Sequence, residues 1–322
     1  MSTDRAAGLG TRARQALPWL AAVALFAWLL HRVPLDEVRE ALRHGPYLLL
    51  LAYVLLEYVV TLPADAFATR EALAVVGVRR TFAELMLARA ATYLLGLLSY
   101  FASLGGIGFW VAKGGTRAAR ATGSVLLLMV TNGIAIVLVA AAGLLADLPA
   151  GSLEQIDREI LILLIVGALL GMLLYLAVIA IRWRWLAGWN VLAPLFEAGV
   201  AGHVRAIAAR IPHMLLLALL HWGAFRLWGV AVPFLQGTAL MAVVLLISAL
   251  PITPNGLGTT QILQVLFFSV WAQGATAEAR GADVLAFSLV HWVFSLVWQL
   301  AIGLAGLALL RRQGVVPEMG EE

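Results

Sequence analysis

The chain has 322 residues, 62% hydrophobic and 12% charged, with a mean hydropathy of +0.94 and a formal net charge of +4. A soluble domain needs roughly 25% charged residues to cover its surface, so this composition excludes a soluble globular protein, and apolar runs of about 20 residues recurring from end to end point to a bilayer. No cysteine is present, which removes disulfides, thiolate metal sites and thiol nucleophiles, and the basic excess lies in connections between apolar runs rather than in a nucleic-acid motif.

Residues 1–15 form a basic tail carrying Arg5, Arg12 and Arg14, ahead of a first apolar run from Ala16 to Leu30. His31-Arg32-Val33-Pro34 follows and offers no small-x-small cleavage site, so an uncleaved span is expected rather than a signal peptide. Next come Pro46 to Leu62, a charged stretch from Asp65 to Arg80, and Phe82 to Val111, interrupted by Leu104-Gly105-Gly106-Ile107-Gly108. Further runs are Val125 to Leu145, Ile160 to Ile181, Ala206 to Val230, Val232 to Leu250, Gln261 to Trp271 and Val284 to Leu310, ahead of a tail at 311–322. The expected fold is an all-α polytopic integral membrane protein of about 6 to 8 transmembrane helices. Residues 16–310 read as a single transmembrane domain with halves at 16–158 and 159–310.

Basic residues near span ends mark the cytoplasmic side. Lys113, Arg117 and Arg120 form a connection without an acid, and Arg182, Arg184 and Arg205 dominate another, so both belong inside. The connections 147–159 (Asp147, Glu154, Asp157 and Glu159 against Arg158) and 273–283 (Glu278 and Asp283 against Arg280) belong outside. The tail arginines and Arg311-Arg312 place both termini in the cytoplasm, with the chain in the plasma membrane.

Run 82–111 then has Arg79-Arg80 before it and Lys113 after it, both demanding the same side. A re-entrant segment broken at the glycines resolves the conflict, because irregular backbone is tolerated at membrane depth where protein or water surrounds it. A second break, Pro251-Ile252-Thr253-Pro254-Asn255-Gly256-Leu257-Gly258, separates either two spans or a second re-entrant hairpin, which would open outside. Gly106 and Gly108 precede Gly256 and Gly258 by 150 residues. Paired Gly/Pro-interrupted segments are a pointer to an inverted repeat around a transport site; chance spacing among 30 glycines is the alternative.

Ionisable groups inside a bilayer are costly and mark sites with partners. Glu57 lines up with Tyr53 and Thr61 at steps of four, facing either a neighbouring helix or an ion or headgroup. Arg210, His213 and His221 share one face of a later run, whereas Arg226 faces away and snorkels. Ser288, His291, Ser295 and Gln299 form a second stripe, and the two stripes read as opposite walls of one wet cavity or as interhelical packing. Arg89, five residues after Glu84, is either that acid's local partner or an anchor for a lipid phosphate. Arg79, Arg80, Lys113, Arg117 and Arg120 would gather at one cytoplasmic mouth, through ordinary topology or attraction of anionic headgroups. Glu154 and Asp157 could hold a cation or form a solvated loop. No metalloprotease, phosphate-loop or nucleophile-elbow motif occurs, and neither cofactor nor metal is expected.

Pro251, Pro254, Asn255, Gly256, Leu257, Gly258 and Gln261 resemble the Pro-x-x-Pro-Gly-Gly-x-Gly-x-x-Glu stretch of the flippase-like transmembrane family named for the membrane domain of lysylphosphatidylglycerol synthases. Leu104 to Gly108, followed by Lys113, Arg117 and Ala121, is similar to its first motif. The resemblance implies movement of a phospholipid or lipid-linked molecule between leaflets, from a cavity between two re-entrant segments. Two family acids are replaced: Gln261 stands for the second-motif Glu, and Gly106 to Trp110 contains none. No aminoacyl-transfer domain follows the last span, so lysyl transfer is not expected. Lipid transport leads; a membrane-embedded lipid transferase using Glu57 or His221 as base, and a non-transporting scaffold, are the alternatives.

Overall fold

The computed structural model describes residues 20, 23–25, 27–29, 31–147, 158–248, 253 and 256–313. Much of the first apolar run, the N-terminal tail, residues 314–322, Glu154, Asp157, Pro251, Pro254 and Asn255 lie outside the described residues. The elements are α1 Leu35–Arg43, α2 Tyr47–Val75, α3 Phe82–Gly96, α4 Tyr100–Lys113, α5 Ala118–Asp147, α6 Arg158–Ala180, α7 Arg184–Ala187, α8 Ala193–Trp228, α9 Phe234–Ser248, α10 Thr259–Phe268 and α11 Ala277–Arg312. No strand occurs among the described residues. Helices α2, α5, α6, α8 and α11 are each long and apolar enough to cross a membrane, so the protein is an all-α polytopic membrane protein.

The remaining apolar helices are short. Helices α3 and α4 have 15 and 14 residues, and α9 and α10 have 15 and 10. At 1.5 Å per residue the longest of them reaches about 22 Å, well under the roughly 30 Å hydrocarbon core. Each pair folds back on itself. In the first, Arg80 Nη2 at the start donates to the Gly114 carbonyl at the end over 3.0 Å. In the second, the Ala231 N–H donates to the Trp271 carbonyl at 2.9 Å at the base, and the Ser248 and Thr260 hydroxyls meet at 2.8 Å at the tip.

The two bases lie at opposite ends of the bundle. Near the first base, Arg120 Nη2 bonds the Val76 carbonyl at 2.8 Å and Glu197 at 2.6 Å, while Arg205 pairs with Glu71 at 2.7 Å. Near the second, Trp228 Nε1 donates to Asp283 at 2.9 Å, and Glu37, Glu40 and Asp283 surround a surface hollow. Helix α2 runs from the acidic end at Tyr47 to the basic end at Val75, and α8 runs the opposite way. These two helices pack along each other, as do α3 with α11 and α5 with both α8 and α9. Phe225 of α8, its ring centroid 4.4 Å from that of Phe268 and 4.3 Å from that of Phe287, ties α8 to α10 and α11 near the acidic end.

Three expectations need correction. The second span does not end at Leu62: α2 continues through Pro63 to Val75, since membrane helices accommodate proline where neighbours re-satisfy the freed backbone, and Asp65 finds buried partners. The first break is not at the glycines. The chain turns at Leu97–Ser99, where Ser99 Oγ accepts the Ala102 N–H at 3.1 Å and starts a new helix. Gly105, Gly106 and Gly108 lie inside α4, and Gly106 is there for contact: a Cβ on it would sit 2.6 Å from Leu95 and 2.8 Å from Thr92 of α3. Finally, Glu84 is not the partner of Arg89. It closes a capping box with Thr81, accepting the Thr81 N–H at 2.8 Å while its own N–H donates to Thr81 Oγ1 at 3.2 Å.

Candidate functional site

The hairpin tips converge on a cavity of about 220 Å³ in the middle of the bundle. Ser99, Tyr100 and Phe101 come from the first tip, Ser248, Thr253 and Gly256 from the second. Behind them stands a charged cluster drawn from three helices. Asp65 of α2 receives Arg89 of α3 through Nε at 2.7 Å and Nη2 at 2.5 Å, both on Oδ2. Its other oxygen, Oδ1, takes Arg210 Nη1 of α8. Arg210 Nη2 donates to Thr69 Oγ1 at 3.2 Å, and His213 Nδ1 lies 3.3 Å from Nη1. All three charged side chains are at most 6% exposed.

One carboxylate therefore serves two buried guanidiniums, leaving an excess positive charge at a depth where charge is expensive. Arg89 Nη1 has no hydrogen-bond partner. A buried donor in that state costs about 1–3 kcal/mol, more when charged. Asn132 Nδ2, donating to Tyr100 Oη at 2.5 Å, braces the tip against α5. Leu104, Ile136, Met214 and Leu245 make the rest of the wall apolar.

A second cavity, of about 240 Å³, lies toward the acidic end. It holds Glu57 of α2, His221 of α8 and His291, Ser295 and Gln299 of α11, together with Gln261 and Gln264 of α10. Glu57 Oε2 is 3.0 Å from His291 Nε2, the two imidazoles are 4.8 Å apart centre to centre, and Gln299 Nε2 donates to Tyr58 Oη at 2.8 Å. The single cavity expected from the two polar stripes is thus two neighbouring cavities that share Leu217, Leu245 and Ser248. The eleven-residue step from Arg210 to His221 separates them by about 16 Å along α8, too far to face one small space.

The second break has backbone suited to its place. Gly256 and Gly258 have φ of 69° and 84°, the left-handed region that glycine enters without steric penalty. Gln261 Oε1 accepts the Gly258 N–H at 2.7 Å, so this glutamine caps the re-entry of α10. Of the basic residues grouped at the mouth, Arg80 stacks 5.3 Å over Trp110 and Lys113 lies 5.7 Å over Phe109. Arg117 and Arg120 line a shallow surface hollow with Glu197, and Arg79 is exposed.

Asp65, Thr69, Tyr100, Asn132 and Gln264 were not singled out by the sequence. Asp65 and Thr69 extend the Tyr53, Glu57, Thr61 series by two further steps of four, a signal hidden by ending the span at Leu62.

No curated protein matches the chain. The model of the lysylphosphatidylglycerol synthase TM region, by contrast, matches residues 15–303, which include both hairpins, both cavities, four of the five long helices and most of α11. The chain therefore belongs to the family of the lysylphosphatidylglycerol synthase transmembrane region.

Proposed function

We propose that this protein moves a phospholipid or lipid-linked molecule between leaflets, holding its phosphate at Arg89 and Arg210 midway across the membrane. In this reading both short helix pairs are re-entrant hairpins, entering from opposite faces in an inverted-repeat arrangement. The positive-inside rule puts the Arg80 base and both termini in the cytoplasm of a cell bounded by the plasma membrane. The carrying observation is the two-to-one arginine to aspartate cluster with its unpartnered Arg89 Nη1, set where the hairpin tips meet. A phosphate would supply the missing negative charge and accept paired N–H groups from the planar guanidinium. The adjoining apolar wall suits the glycerol and first acyl carbons.

The test is translocation of a fluorescent phosphatidylglycerol in proteoliposomes. Wild-type protein is expected to exchange the label well above the protein-free rate. Arg89→Gln leaves Asp65 paired with Arg210, so folding is preserved, and removes a charge-assisted contact of about 1.5–3 kcal/mol, a loss of about tenfold or more in rate. Wild-type vesicles that exchange lipid no faster than empty ones overturn the proposal, as does an Arg89→Gln variant with the full wild-type rate.

A further inference from the structure

The second cavity is not needed to hold a phosphate, and its chemistry differs from that of the first. It offers one carboxylate and two imidazoles, and no arginine lines it. Glu57, His221 and His291 each offer one ligand atom, and the three atoms lie within 4.8 Å of one another. They come from three different helices, α2, α8 and α11. We infer that these three side chains form a binding site for a divalent transition metal of the zinc class, with a fourth position open to the second cavity.

Several features carry this beyond a buried acid paired with a histidine. The ligand set, two imidazoles and a carboxylate with one open position, is the donor type that zinc takes at three-ligand sites. Glu57 Oε2 and His291 Nε2 already stand 3.0 Å apart, close to the roughly 3.3 Å separation of two ligands on a tetrahedral ion with bonds near 2.05 Å. The widest gap, 4.8 Å, must close by about 1.5 Å, a movement that small adjustments of all three side chains share. His221 Nδ1 lies 3.0 Å from the Leu217 carbonyl, so that nitrogen carries the proton and Nε2 presents its lone pair, the arrangement by which ligating histidines are oriented.

The polar atoms around the trio point the same way. Glu57 Oε1, Gln261 Nε2, Gln264 Oε1, Ser288 Oγ and Trp292 Nε1 are buried without hydrogen-bond partners, and all five residues line this cavity. Glu57, Gln261, Gln264 and Ser288 are each at most 5% exposed. A hydrophobic helix interface would not gather five such groups, because each costs free energy unless a ligand satisfies it. An ion with a bound water accounts for four of them: Glu57 Oε1 as a second carboxylate contact, Gln264 Oε1 and Ser288 Oγ accepting the water's two protons, and Gln261 Nε2 donating to its one free lone pair. Imidazole and carboxylate favour zinc, nickel, copper or iron over magnesium and calcium.

The experiment uses the full chain in detergent, purified through a tag without histidines and titrated with Co²⁺ as a spectroscopic stand-in for Zn²⁺. One Co²⁺ per chain with the visible absorption of tetrahedral N/O coordination is expected, displaced by one equivalent of Zn²⁺. His221→Asn and His291→Asn should each weaken binding by at least tenfold, and His44→Asn, an exposed control outside the cavity, should leave it unchanged. Zn²⁺ should raise the unfolding temperature of wild type and not of His221→Asn, since a ligand bound only by the folded state stabilises it. This protects the test if a variant is merely less stable. Absence of stoichiometric Co²⁺ binding by wild type, a spectrum of hexa-aqua type, or retention of the band in both histidine variants overturns the site. None of these readouts depends on lipid movement, so failure here and failure of the transport proposal are separable.

Discussion

Asp65→Asn is expected to be the most damaging single substitution in the chain. It leaves Arg89 and Arg210 facing each other in the bundle interior with only neutral partners, and the removal of one member of a buried ion pair costs about 3–5 kcal/mol. Thermal unfolding in detergent, followed by tryptophan fluorescence, should show a large fall. The substitution is also expected to abolish translocation, because the cluster proposed to hold phosphate no longer has a fixed geometry. Adding Arg210→Leu to Asp65→Asn should recover part of the lost stability, since one of the two uncompensated charges is gone; coupled neighbours behave this way in double-mutant cycles. Additive losses in the double variant would mean that Asp65 and Arg210 do not interact as described.

The second large effect concerns transport rather than stability. Gly256→Leu and Gly258→Leu each place a side chain on backbone at φ 69° and 84°, at a cost of about 1–2 kcal/mol for leaving the allowed region. At Gly256 the new Cβ would also come within 2.6 Å of Thr260 Oγ1, the hydroxyl that joins the two arms of the second tip to Ser248. Lipid movement in proteoliposomes should fall to the protein-free rate, with insertion and yield largely intact because the packed phenylalanine cluster lies at the other end of the hairpin. Gly105→Leu is the matching control in the first glycine motif, where a Cβ meets nothing within 4 Å. It should keep most of the activity. Wild-type rates in both Gly256→Leu and Gly258→Leu would make this break an ordinary connecting loop.

The contrast between the two glycine motifs explains what was legible in the sequence. Composition and apolar run length gave the fold class, because burial in lipid constrains every exposed residue. Basic residues on both sides of run 82–111 implied a fold-back, and the Arg80 contact with Gly114 joins those two ends. The position of the turn was misread because glycine has two uses that look alike in sequence. At Gly258 it supplies a left-handed backbone, whereas at Gly106 it lets α3 and α4 approach inside a regular helix. The true turn is marked only by Ser99 as a helix cap. Arg89, Arg210 and His213 were visible as misplaced polar groups, and Asp65 was not, because Pro63 and the charges after it imitate the end of a span. Division of the polar residues into two cavities depends on the distance along α8 and on where the tips intrude, which helical periodicity does not report.

The central claim is that the two hairpins open to opposite faces and meet at the charged cluster. Cysteine accessibility tests it most directly, because the chain has no native cysteine. Single cysteines at Ala118, beside the first base, and at Ala275, beside the second, are labelled with a membrane-impermeant maleimide in intact cells. Ala275→Cys is expected to react at once, and Ala118→Cys only after the cells are permeabilised. Labelling of both positions from the same side would contradict it.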